Sequence, residues 1–447
     1  MMIKAILIAN TAEAFKEILG KDSHTRRGKE RINHELTLSQ RAFFWESDNK
    51  IVVTPYPIPS VLLEANKRAL GFGNVVNLAP TSGSVNLCSS VLGDRKLLRL
   101  IAGEIRKSRC VAVSPYAVTQ DFLQLVAGLK GLGLQFVVEE KPADASLWIV
   151  SYLDSKAGFR TEMLKLRSEH VEVKVPEGFV AQNVAEAQRM AEWFYKSGRS
   201  LVLKANFGES GWGIKIIREE EYTSLPAFRK AFATILKNDV IWQNTSIVVE
   251  EFVDPDTEVA GGSPSTEMLV TEQGALFLYH CGQVVNDAGA FFGVEIGRGA
   301  LSNSLSRKLL VIGNIIGKRY WELGYRGYFD IDFIISKTGE IFVAETNTRR
   351  TGGTHVYDAA RHLFGGEYEK EAYLLSHDSF LYHRKRMLPE ELLEKLKVIL
   401  YPIKGEKKGV IITLISEWSP VLGYIIIASN RSEGQKMQRR LLSIFDR

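Results

Sequence analysis

The residues with the clearest capacity for chemistry fall in two stretches. In the first, the apolar run Leu201-Val202-Leu203 ends on Lys204 and leads through Ala205-Asn206-Phe207 into Gly208-Glu209-Ser210-Gly211-Trp212-Gly213, before a second apolar run begins at Ile214. Three glycines between two strands predict a flap whose backbone N–H groups can approach phosphate oxygens unobstructed. A hairpin with a long tip would need the same glycines. What favours an anion is Lys204, because an ammonium ending an apolar strand needs a permanent negative partner.

In the second stretch, Tyr328 to Ile335, a short turn and Ile341 to Asn347 predict two antiparallel strands. Side chains alternate along a strand, so Glu345 shares a face with Asn347, and Asp330 likewise with Asp332. Hard oxygen ligands gathered there suit Mg²⁺, which keeps some of its waters and is completed by substrate phosphates. Acidic pairs on exposed strands are common without a metal, but Asp332 and Glu345 are embedded in apolar runs where an unpaired carboxylate is costly. The cluster of Asp330, Asp332, Glu345 and Asn347 is therefore expected to hold a metal.

Directly after come Arg349 and Arg350, the pair Gly352-Gly353, and a helix expected to start near Thr354. Guanidinium forks and helix-terminal N–H groups both suit an anion. Arg349, two residues beyond a metal ligand, is expected to face the reacting phosphate or carboxylate. His355 is a candidate base because a free imidazole titrates near neutrality; a helix-start residue with no catalytic part is the alternative.

The elements that must position these groups read as α/β followed by α+β. Residues 1–150 alternate strands (Ile3 to Ile8, Ile51 to Val53, Cys110 to Val113, Leu134 to Val138) with helices (Val61 to Leu70, Val118 to Leu129), which predicts a parallel, doubly wound sheet. Gly71-Phe72-Gly73 lacks a third glycine and follows a helical segment, so it is read as a turn. Residues 151–366 are mainly strands with two long helices, about 183–197 and 303–323. Residues 367–447 are expected to begin with a charged helix, to end in the strand pair Gly409 to Ile415 and Gly423 to Ala428 with a helix from Glu433, and to form a small α+β accessory domain or lid.

At 447 residues the chain is long enough for two or three domains around a cleft. With 45% apolar and 24% charged residues it has the composition of a soluble globular protein. No run of about 18 apolar residues suggests a membrane span, and the first residues show no cleavage site, so a cytoplasmic location is expected. Cys88, Cys110 and Cys281 lie far apart in apolar settings, as buried thiols of a reducing compartment would. The net charge of +5 sits partly in local runs such as His383 to Arg386, which predicts a solvated face and no nucleic-acid partner. A homodimer is the commonest oligomer and the default expectation.

The lysine-bearing glycine flap, the strand Glu250-Glu251-Phe252-Val253 and the closing Asp-strand-turn-strand-Glu-x-Asn-x-Arg together resemble the ATP-grasp superfamily over about 154 to 366. The N-terminal α/β domain, the flap sequence and Asn347 to His355 look like the peptide ligases of the pheganomycin-assembly type, which carry a pre-ATP-grasp domain. The resemblance implies that Lys156 and Lys204 contact ATP phosphates under Gly208 to Gly213, including Glu209, Ser210, Gly211 and Trp212. It implies that Glu250, Glu251, Phe252 and Val253 frame the adenine, and that Glu267, or failing it Glu258, binds ribose. Asp332, Glu345 and Asn347 would hold one or two Mg²⁺ ions, with Mn²⁺ as an alternative, and Arg349 would steady an acyl phosphate. The implied activity is ATP-dependent joining of a small carboxylate to an amine, an amino acid or peptide. A small-molecule kinase and a non-catalytic ATP-binding regulator are the alternatives. Thr348 and Ala205 stand where many members have proline. The substrate pockets are expected around Pro55 to Ser60, Thr81 to Asn86 and the loop Asn286 to Arg298.

Overall fold

A computed structural model describes residues 2–108, 110–142, 146–209, 211–285 and 290–445. Four short parallel strands come first: β1 (Ala5–Ile8), β2 (Lys50–Val53), β3 (Val75–Leu78) and β4 (Ala112–Pro115), in the order β3-β2-β1-β4. β1 is apolar throughout because both of its faces are covered. Leu7 and Val52 point into one core, while Ile6, Ile8, Ile51 and Val53 point into another. Gly71, at φ +67°, ends the helix Ser60–Leu70 as the expected turn. The expected strand at Leu134 to Val138 contributes a single bridge, Val137 to Ala112, and the place beside β2 is taken by β3, which the sequence pattern had not marked.

A second, antiparallel sheet holds β5 (Gly178–Ala181), β6 (Leu201–Glu209), β7 (Trp212–Ile217) and β8 (Ile247–Glu251), ordered β5-β8-β6-β7. The helices Val184–Lys196 and Leu225–Asn238 cover it, packing Phe194, Phe228 and Phe232 on Leu201, Leu203 and Val249.

The third sheet has eight antiparallel strands: β9 (Pro264–Thr271), β10 (Gly274–Val285), β11 (Phe291–Gly297), β12 (Gly327–Ile335), β13 (Ile341–Asn347), β14 (Tyr373–Leu381), β15 (Gly409–Ile415) and β16 (Val421–Ala428). Their order is β13-β12-β9-β10-β11-β14-β16-β15. The helix Asn303–Glu322 shares a core with Met268 and Phe329 through Leu309, Ile312, Ile316 and Tyr320. The segment expected to start with a charged helix and stand apart as an accessory piece has only one helical turn, Tyr368–Glu371, before β14, and it adds three strands to this same sheet. Ile411, Ile425 and Ile427 belong to the core that holds Leu7 and Val52. Of the expected loop Asn286 to Arg298, residues 286–289 lie outside the described residues, and Phe291–Gly297 is strand β11.

Cys88 and Cys281 are buried free thiols; Cys110, expected to be buried, is exposed. Among the described residues no helix is long and apolar enough to cross a membrane.

Candidate active site

A cleft of about 950 Å³ is walled on the small-sheet side by Val202, Ile214, Ile216, Phe252 and Val253. Lys204, Asp330, Asp332, Glu345, Asn347 and Arg349 also line it, and the N-terminal region closes it with His34, Leu38, Arg41 and Tyr116. The acidic group follows from strand register. Asp330 pairs with Asn347 and Asp332 with Glu345 across β12 and β13, so all four side chains stand on one face.

Asn347 Nδ2 donates to Asp330 Oδ1 at 2.9 Å and to Asp332 Oδ2 at 3.2 Å. Gln283 Nε2 also donates to Asp332. Burial first, and then the neighbouring Glu267, raises the Asp330 carboxyl to about 7. Burial, Asp330 and Glu345 push Asp332 well above the carboxylate range. Burial works the same way on Glu345, but Lys156 and Lys204 outweigh it and hold that carboxyl below its usual value. Two adjacent carboxyls that resist ionisation, chiefly because they are buried and then because of neighbouring acids, fit a site completed by a cation. Among the described residues no three His, Cys, Asp or Glu groups form a ready metal cage. The donors present, two carboxylates and an amide that can turn its oxygen inward, fit the smaller protein share that Mg²⁺ takes beside phosphate and water.

Both lysines already have carboxylate partners. Lys156 Nζ lies 3.1 Å from Glu345 Oε2. Lys204 Nζ lies 2.5 Å from Glu250 Oε1 and donates to the Ala344 carbonyl at 3.0 Å. Glu250 also meets Arg160, at 3.3 Å. The anion that Lys204 was expected to require is thus supplied by a neighbouring strand, and Glu250 serves a pair of buried cations before it can frame any ligand. The Glu251 and Phe252 amides donate to the carbonyls of Glu177 and Ser200 at 2.8 and 2.9 Å. Val253, two residues past the end of β8, lines the cleft.

β6 and β7 pair from Leu201 to Lys204 and again at Glu209 and Trp212, with Gly211 and Gly213 at φ +85° and +89° on either side of Trp212. A side chain at Gly208 would come within 2.3 Å of the Trp212 carbonyl, so only glycine lets the two flap strands close. Ser210 and the side chain of Glu209 lie outside what is described. Arg349 Nη1 donates to Asp154 Oδ1 at 3.0 Å, and its guanidinium also lies 4.8 Å from the Phe15 ring.

No protein-family model matches the chain. A curated L-propargylglycine–L-glutamate ligase of Streptantibioticus cattleyicolor is 25% identical over 251 residues, 54% of this chain and 47% of that protein. The chain therefore spans about half the length of the relative it matches. A β,γ-ATP complex of biotin carboxylase from Campylobacter jejuni superposes at TM-score 0.58 and 15% identity, over 99% of this chain and 91% of that one. N5-carboxyaminoimidazole ribonucleotide synthetase from Thermus thermophilus does so at TM-score 0.54 and 13% identity, over 100% and 99%. The chain has the ATP-grasp fold.

Several expectations do not survive the geometry. Glu267 is 1% exposed and accepts from Tyr279, Thr351 and Thr354 hydroxyls at 2.5, 2.6 and 2.6 Å, so it is absent from the cleft wall and not placed to meet ribose. Glu258 is exposed and also absent from that wall, where Asp254 and Thr257 stand. His355 is wholly buried, 3.6 Å from Asp378 and edge-on to the Phe44 ring, and burial drives its pKa well below the usual imidazole value. A base needs access to the proton it takes, which His355 lacks. Arg350 turns inward to Glu140 at 2.7 Å and stacks 4.0 Å from Tyr328. The loops 55–60 and 81–86 do not line the cleft; His34, Leu38 and Arg41 do. Sequence reading missed Gln283 and Asp378. Each is a polar residue inside an apolar strand, and that was the available signal.

Proposed function

We propose that this chain is an ATP-dependent ligase that activates a carboxylic acid as an acyl phosphate and joins it to an amine. The observation that carries this reading is one cleft holding Asp330, Asp332, Glu345 and Asn347 together with Lys204, Arg349 and the glycine flap. The likeness to a relative named for joining two amino acids supports amino acids or short peptides as both substrates.

In this reading Lys156 and Lys204 turn from their carboxylates to the phosphates of ATP, Gly208 to Gly213 cover the chain of phosphates, and Val253 meets the adenine edge. Asp332, Glu345 and Asn347 would hold Mg²⁺, which when bound neutralises the triphosphate. Arg349 orients the substrate carboxylate. One of its oxygens attacks the γ-phosphorus; that P–O bond forms, the bond to the β-phosphate oxygen breaks, and ADP leaves. The amine nitrogen then attacks the acyl carbon, the C–O bond to phosphate breaks, phosphate departs, and the nitrogen gives up a proton. The flap keeps water from the acyl phosphate.

The test is phosphate release from ATP across a matrix of amino acids, with mass detection of the joined product. A product equal to the two substrates less water is expected. Glu345→Ala should lose roughly 10²-fold or more in rate, as removal of a group stabilising transferring charge commonly does. Phosphate found covalently on an acceptor would replace the ligase by a kinase.

A further inference from the structure

We infer that Arg31 is a positioning residue that latches the glycine flap, acting through Trp212. The Arg31 guanidinium carbon lies 3.6 Å from the centroid of the Trp212 ring, joining a helix of the N-terminal region to the flap. Both partners are themselves held. Arg31 Nη1 donates to Asp22 Oδ2 at 2.8 Å, and Trp212 Nε1 donates to Asp239 Oδ2 at 3.0 Å. Gly211 and Gly213 flank Trp212 in left-handed conformations, at φ +85° and +89°. A tip hinged by glycine on both sides does not fix its own position, so what grips the indole sets where the flap rests.

The helix that supplies Arg31, Arg26–Leu38, also brings His34 and Leu38 to the cleft. Spacings of three and seven residues place all three on one helical face. One rigid element therefore touches the flap tip at one point and the cleft wall at two others. The rest position of the flap and the shape of that wall are linked through it.

The inference rests on the ligase reading only for the second of two measurements. In the first, magnesium with a non-hydrolysable ATP analogue is titrated calorimetrically against the full chain and its variants. Arg31→Ala and Trp212→Ala should each weaken binding about three- to tenfold, the worth of a partly desolvated cation over an indole. The double variant should be no weaker than the worse single one, and Arg31→Lys should recover part of the loss, with unchanged melting temperatures confirming the fold. Singles that bind like the native chain, or losses that multiply, would overturn the latch; so would a native chain that binds no nucleotide. In the second, the amide formed per phosphate released should drop from near one in both single variants, because an unlatched flap admits water. An unchanged ratio would also overturn it. A native chain that binds nucleotide but makes no amide defeats the ligase reading, and the calorimetric cycle then decides the latch alone.

Discussion

His34 shows how one side chain can tie the cleft to acidity. It lines the cleft, and burial first, then the nearby Arg41 guanidinium, lowers its pKa from 6.5 to about 4. The unfolded chain takes up this proton near the usual value while the folded one resists it. His34 therefore contributes stability above about 6.5 that is lost as the pH falls toward 4. His34→Gln should remove ~1–3 kcal/mol of that acid sensitivity. Urea midpoints of both proteins at pH 7 and pH 4.5 decide it; an equal drop in the two would refute the assignment. The chemical character of the cleft residues was legible in their types: Lys204, Asp332, Glu345, Asn347 and Arg349 do line one cavity. Their partners were not. Nothing in local spacing says that Lys204 rests on Glu250, 46 positions away, or that three hydroxyls from distant segments occupy Glu267, because such pairs are created by strand register and chain return.

The flap and the β12–β13 hairpin were readable as elements because glycine spacing and apolar alternation are local signals. β14 was not, since the buried polar residues Ser376 and Asp378 interrupt its apolar pattern. Asp378 is there to meet Arg41 from the N-terminal region at 2.6 Å, a demand that appears only once the chain has folded back. The flap can be tested as an element. In Gly208→Ala the added carbon would crowd the Trp212 carbonyl at 2.3 Å and push the two flap strands apart. On the proposed ligase reading, because misplacement on the scale of an ångström can cost about 10²-fold in rate, kcat/KM for ATP should fall roughly tenfold or more while the melting temperature stays nearly constant, the crowding being confined to the flap. A variant with native kcat/KM would show that flap closure does not depend on this contact.

At the scale of the molecule, the C-terminal strands decide what kind of body this is. β14, β16 and β15 extend the sheet that carries the acidic cluster, and their isoleucines complete a core begun by Leu7 and Val52. Removing residues 367–447 should therefore abolish cooperative melting and leave β11 as an exposed edge prone to aggregation. A detachable lid would instead leave a soluble remainder with its original transition, which differential scanning calorimetry distinguishes. The same wholeness bears on how ligands arrive. On the proposed ligase reading, since Lys156 and Lys204 already lean on Glu345 and Glu250, an incoming nucleotide would meet little uncompensated positive field from these two lysines. Its capture becomes a trade of partners at contact distance, so discrimination falls to molecules able to complete that trade and not to every anion drifting by.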